Sequence, residues 1–286
     1  ITGRNDWSSA LDPRWNSYFY PSVSVSVLLS SILNMGKKVD ILKIRASWAN
    51  VGNDTEPYAI SNYYSNSNFG GGVILPTKIS NAELKPEMTK SWEAGIEGKF
   101  FSGRLGFDIA AYLSDSYNQI LSAPTDPATG YWYAKINAGL IRNKGLEVSL
   151  NTMPISSRRF KWNLNFVYST NRNEVVRLAD GVDSWQIASL GQARVLAKPG
   201  GTLGAIYGTG FSRVPAGTVI TLDDGTQKDI SGEILFDKDT GNPIIDKATL
   251  RYLGETQSKW KGGINTSFSY NGLKLFVQLD GAFGGR

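Results

Sequence analysis

Apolar and polar residues alternate along most of the chain. From Phe19, Pro21, Val23, Val25, Val27 and Leu29 share one parity and Ser22, Ser24 and Ser26 the other. Leu105, Phe107, Ile109, Ala111 and Leu113 repeat the pattern, as do Trp162, Leu164, Phe166 and Tyr168 with Asn163, Asn165 and Ser169 between them. Near the end, Ile264, Thr266, Phe268 and Tyr270 alternate with Asn265, Ser267 and Ser269, and Leu273, Leu275, Val277 and Leu279 follow. A period of two gives each strand one apolar and one polar face. Shorter runs, Trp92/Ala94/Ile96 and Leu146/Val148/Leu150, set Glu93, Glu97 and Glu147 opposite. The pattern predicts about eight strands: 17–33, 40–52, 90–101, 104–118, 143–153, 160–173, 259–271 and 272–284. No stretch of comparable length carries helical spacing.

The connections alternate in length. Asn34 to Val39, Ser102-Gly103, Pro154 to Arg159 and Asn271-Gly272 are short, whereas 53–89, 119–142 and 174–258 are long. Asn-Gly favours a type I′ hairpin because both central residues need positive φ. Strict alternation puts the short turns at one end of an antiparallel meander and the long segments, 1–16 included, at the other. Transmembrane β-barrels are built this way. The faces alone fit either a lipid-facing wall around a wet lumen or a soluble sandwich. Trp48, Trp92, Trp162, Tyr168 and Tyr270, near strand ends, fit interfacial girdles or a soluble rim.

Composition narrows the chemistry. The chain has neither cysteine nor histidine, which removes disulfides, thiol nucleophiles and histidine-based triads and metal sites. Charged residues are 19%, below the ~25% usual for soluble domains. The longest apolar run is five residues, Ile109 to Leu113, so no membrane-spanning helix is expected. The opening Ile1-Thr2-Gly3 does not read as a signal peptide. The net charge is +5, but the cations scatter: Lys37-Lys38 and Arg158-Arg159 with Lys161 fall in short turns. At a bilayer edge they would snorkel to headgroups, so no nucleic-acid partner is expected.

Several segments resemble a known family. Leu84 to Glu93 reads LKPEMTKSWE and continues AGIEGKFFSGRLGFDIAAY; Ile136 to Leu150 reads INAGLIRNKGLEVSL; Ile44 to Asn53 reads IRASWANVGN; and Thr2 to Ser9 reads TGRNDWSS ahead of YFYPSVSVSV. Over nearly its whole length the chain resembles the SusC/RagA-like branch of TonB-dependent outer-membrane transporters. The resemblance implies an all-β fold, an antiparallel transmembrane barrel of about 22 strands. Residues 1–286 would supply an interior to late part of it. It also implies the outer membrane of a Gram-negative bacterium, with contact to its lipid, and active uptake of a bulky nutrient, an oligosaccharide or a peptide. The implied partners are a SusD-like surface lipoprotein as lid and the TonB–ExbB–ExbD complex, with no cofactor. The family's plug, TonB box and closing aromatic-ended strand have no counterpart in these segments, and are expected to lie outside residues 1–286. The alternatives are a passive outer-membrane pore and a soluble secreted carbohydrate-binding β-protein.

Sharper chemical motifs fail on their own terms. Asp239-Thr240-Gly241 matches the aspartic-protease tripeptide, but no second copy supplies the partner carboxylate, and Lys238 stands where an apolar residue is expected. Asp237, Asp239 and Gly241 do not meet the calcium-loop pattern, which leaves a polar turn and no metal site. No enzyme activity is expected. Two outside loops do pair aromatic rings with amides: Tyr58, Tyr63, Tyr64 and Phe69 beside Asn62, Asn66 and Asn68, and Tyr131, Trp132 and Tyr133 beside Asn137. Such platforms suit the flat apolar faces and hydroxyl rims of sugars, and these seven rings are the candidate ligand contacts. The competing expectation is that they pack the loops against each other or against the lid.

Overall fold

The computed structural model describes residues 1–33 and 35–285; Asn34, which opens the first expected short turn, and Arg286 lie outside the described residues. Nine strands form one wall: β1 (Thr2–Trp7), β2 (Ser17–Leu28), β3 (Val39–Asn53), β4 (Glu87–Phe100), β5 (Leu105–Pro124), β6 (Tyr133–Ser156), β7 (Phe160–Arg177), β8 (Trp260–Tyr270) and β9 (Leu273–Phe283). Each pairs antiparallel with the next in chain order. In such a meander successive connections fall at opposite ends. Segments 8–16, 54–86, 125–132 and 178–259 therefore share the outer end, and the tight turns share the other. Asn271 and Gly272 both take positive φ, 45° and 90°, as the hairpin reading requires.

The wall differs from the sequence expectation at its margins. Thr2–Trp7, expected inside an outer segment, is a strand. Its residues are polar and non-alternating, and cross-strand side chains hold it: Thr2 to Ser22, Asn5 to Ser17, and Arg4 and Asp6 to the Tyr20 hydroxyl. A helical turn, Leu29–Ile32, ends the strand expected to reach residue 33. β5 and β6 run past residue 118 and begin before 143, because Gln119–Pro124 pairs with Tyr133–Ala138. The long connection between them therefore shrinks to 125–132.

The aliphatic parity faces away from the polar one without a second layer over it. Val25 is 58% exposed and Leu275 59%, with Val23, Ile109 and Val277 also exposed and Phe107, Leu164 and Phe166 partly so. A soluble sandwich would have buried these side chains, so that alternative falls. Two aromatic borders bound the apolar band. Toward the outer end, Trp48 meets Trp92 and, further along the wall, Trp260 stacks on Phe283 at 4.1 Å and meets Tyr168. Toward the short turns, Phe100 stacks on Phe107 and Trp162 on Phe268. Both borders step toward the short-turn end as strand number rises: the Trp92 row contains Arg172, whereas Trp260 lies opposite Thr170. A drift in one direction is what strands tilted to a membrane normal produce.

The two buried apolar clusters lie in the outer segments. Leu11, Ala59 and Leu84 pack together with Tyr18, Ile60 and Ile120, and Val175, Leu178 and Ala197 pack with Val182, Trp185 and Leu203. Val175 shares the inward parity of β7 with Asn171 and Asn173, so segment 178–259 folds over the polar face of the wall. That segment carries its own antiparallel sheet, Trp185–Leu190, Ala193–Ala197, Ala205–Phe211 and Ile245–Glu255.

Candidate ligand-facing surface

The inward face is a set of cross-strand polar rows. Arg45 lies opposite Gly95, and the space left by the missing side chain lets its guanidinium cross β4 to Asp108 on β5. It donates through both terminal nitrogens to that carboxylate, at 2.9 and 2.8 Å, and sits 3.6 Å from Glu93. A Cβ at residue 95 would fall 2.7 Å from the Arg45 Cζ. Lys43 pairs with Glu97, which Lys99 also approaches at 3.5 Å. Ser91 bonds Ser114, and Thr89 bonds Ser116. Further along, Asn151, Asn165 and Asn265 stand in one row, where the Nδ2 of Asn165 donates to the Asn151 Oδ1 and that of Asn265 to the Asn165 Oδ1. A second amide group joins Tyr112, Asn143, Asn171 and Asn173.

These rows offer paired charges and self-bonded amides, the lining of a hydrated passage. They surround a hollow of about 960 Å³ bordered by Arg45, Asp108, Glu147, Ser169, Lys261 and Asp280. A second cavity, about 560 Å³, lies at the outer end where β7 runs past β8, between inward Asn171 and Asn173 and the outer residues Tyr207, Tyr252, Gln257 and Lys259, with Arg172 and Glu174 bordering it from the outward face. Periodicity marks these positions as polar, but only the register shows which of them meet. Alternation along one strand therefore does not single them out.

The seven expected contact rings lie on two outer segments that touch. Lys78–Ile79 runs parallel to Tyr133–Ala134, and the Thr77 carbonyl accepts from the backbone N–H of Trp132 at 2.9 Å and of Tyr133 at 3.3 Å. The side chain of Lys135 pairs with Glu56, and Asn137 bonds both backbone groups of Lys85. The rings themselves stay outside this packing. Phe69, in the turn of a short hairpin, is 82% exposed and Trp132 62%; Tyr58, Tyr63, Tyr64 and Tyr133 are exposed and Tyr131 is half-buried. Among the described residues the one ring contact within the set is Tyr58 edge-on to Tyr63 at 5.4 Å. Aliphatic Leu11, Ala59 and Leu84, not the rings, form the core of these loops.

The carboxylate of Asp237 accepts from the backbone of Asp239 and Thr240 and from the Thr240 hydroxyl, and these bonds hold it below the ordinary value for aspartate. It stabilises its own turn.

A family model described as TonB dependent receptor-like, beta-barrel, matches residues 1–272. The chain belongs to this family. TonB-dependent receptor P39 of Formosa agariphila is 28% identical over 86% of this chain and 27% of its own length. SusC of Bacteroides thetaiotaomicron, also a TonB-dependent receptor, is 30% identical over 64% of this chain and 20% of its own. The structure of the RagAB peptide transporter superposes on 99% of this chain and 31% of that one, with a TM-score of 0.77 at 18% identity, which establishes the shared fold. The chain thus spans less than a third of the length of these relatives. As a TonB-dependent receptor barrel it is a Gram-negative outer-membrane protein. Its apolar band faces lipid, its polar rows face the lumen, and its long segments lie at the outer end.

Proposed function

We propose that this wall is part of a SusC/RagA-like receptor that actively imports a bulky nutrient, an oligosaccharide or a peptide, across the outer membrane. The observation that carries the reading is the inward face: a polar lining of paired charges and amides, overhung at the outer end by long segments with exposed rings. A SusD-like lipoprotein would meet those outer segments, and the TonB–ExbB–ExbD complex would supply the drive. A receptor named SusC among the relatives and a peptide transporter among the fold neighbours support the SusC/RagA-like reading, and the latter supports the peptide class. Residues 1–286 would be the barrel part, with the plug elsewhere in the full-length receptor.

Deleting the gene for the full-length receptor should abolish growth on one of the two classes as sole nutrient, and deleting TonB should have the same effect. Unchanged growth on both classes would overturn the reading. TonB-independent uptake would point to a passive pore. Within the receptor, Trp132→Ala or Tyr64→Ala should weaken ligand capture while heat-modifiable migration stays normal. Equal capture by variant and parent would remove these rings from the ligand site.

A further inference from the structure

Among the described residues, the outward face of the wall sets two cations side by side without an ion pair to either. At the outer end, Lys90, Asp115, Arg142 and Glu174 stand directly opposite one another across β4, β5, β6 and β7. The signs alternate along this row, and Arg142 closes on Asp115 at 2.7 Å while Lys90 also lies over the Tyr117 ring. The next row toward the membrane reads Trp48, Trp92, Leu113, Lys144, Arg172. Here two cations, Lys144 and Arg172, face each other across β6 and β7. Both are exposed, and neither has a hydrogen bond or ion pair among the described residues. Of the nearby carboxylates, Glu174 stands opposite Arg142 and two residues from Arg172 on the same face without an ion pair among the described residues, and Glu255 accepts from the Tyr252 hydroxyl.

Like charges directly opposite on one face destabilise a strand pair. An anion lying between them relieves that repulsion, and their height indicates which anion. Neighbouring strands are ~4.8 Å apart, and the tilt raises a register row by roughly 1.5–3 Å per strand. Lys144 and Arg172 thus stand roughly 3–6 and 5–9 Å outside the level of Trp92. Interfacial tryptophan marks the edge of the hydrocarbon, and the polar headgroups occupy the next ~5–8 Å. Below the pair, Leu146 and Ala111 continue the apolar band for acyl chains.

We infer that Lys144 and Arg172 form a docking site for the phosphate of an outer-leaflet lipid, a phosphorylated glycolipid whose acyl chains lie on the band below. The inference needs only the membrane placement of the barrel and is independent of the nutrient. It is tested on the full-length receptor in lipid nanodiscs containing either bisphosphorylated lipid A or the same lipid without phosphates, with bound lipid read by native mass spectrometry. The parent should retain the phosphorylated form, and the doubly substituted Lys144→Gln, Arg172→Gln receptor should retain about tenfold less of it. Phosphate-free lipid should bind weakly and equally to both. Lys144→Arg should keep the parent's behaviour, and heat-modifiable migration should show every variant assembled. Equal retention of phosphorylated lipid by parent and double variant would overturn the site. Displacement of the lipid by millimolar inorganic phosphate, with no dependence on acyl chains, would overturn the lipid as its occupant.

Discussion

Glu56 and Lys135 link the 54–86 segment to the start of β6, and the tie has a definite pH signature. The hydrogen bond from Lys135, together with its charge, holds the Glu56 carboxyl below its ordinary value of 4.5. The stabilising contribution is therefore complete above that value and fades as pH falls through the depressed folded value. Glu56 is exposed, so solvent screens the pair and the effect is local rather than global. Hydrogen-exchange protection of residues 54–60, corrected for intrinsic rates, should stay level from pH 7 to about 5 and drop below about 4. In the Glu56→Gln receptor that drop should be missing, with protection already at the lower level at pH 7. The same residue scale separates what the sequence shows from what it hides. Ring-and-amide clusters are visible as strings of letters, and their exposure follows from loop position. The bidentate Arg45–Asp108 bond is invisible there, because it joins residues two strands apart through the space over Gly95.

Two strand pairs set an aromatic ring directly over the opposite glycine: Tyr112 faces Gly145 and Phe107 faces Gly98. A ring folded over a cross-strand glycine covers backbone that would otherwise be bare and pins the register, since a slip of one residue would turn the ring to the other face. The Tyr112 pair is the tighter. A Cβ at residue 145 would lie 2.4 Å from the ring and 2.5 Å from the Thr170 carbonyl oxygen, and that second contact is backbone on a central strand. Gly145→Ala should lower stability by about 1–3 kcal/mol and slow assembly. Gly106→Ala on β5, where the nearest atom is 3.7 Å from the new Cβ, should assemble as the parent does. The midpoint of heat-modifiable migration distinguishes the two, and equal midpoints would contradict register pinning. Strand existence was legible wherever the membrane imposed an apolar face, from Val23 to Leu279. It failed where that constraint ends: β1 is polar on both faces, and the extension of β5 and β6 lies beyond the band, so neither alternates.

At the scale of the whole wall, tilt, the two aromatic borders and the one-sided loops are a single geometric fact seen three ways. Along β4, Trp92 and Phe100 are eight residues apart, ~27 Å of strand, or ~20 Å along the membrane normal at a tilt of ~40°. The apolar band thus approaches the ~25 Å band of outer-membrane barrels. The order of short and long connections predicted the ends correctly because an antiparallel meander leaves no other arrangement. Side choice, lipid outside and water inside, needed the structure, since an alternating strand reads the same from either face. The wall does not close among the described residues. β1 and β9 each leave one edge unpaired, and β9 exposes Leu273, Leu275, Phe276 and Leu279 beside its edge. Unpaired edges recruit other strands, and an apolar face without lipid recruits other faces. Residues 1–286 expressed alone should therefore aggregate in aqueous buffer and yield dispersed, strand-rich protein only in detergent or lipid, as read by sedimentation and circular dichroism. Adding detergent should release the apolar face but not the edges, so small oligomers should persist. A monomer in water with a cooperative melting transition would mean that the apolar parity is covered by the chain itself, and would overturn the lipid-facing wall.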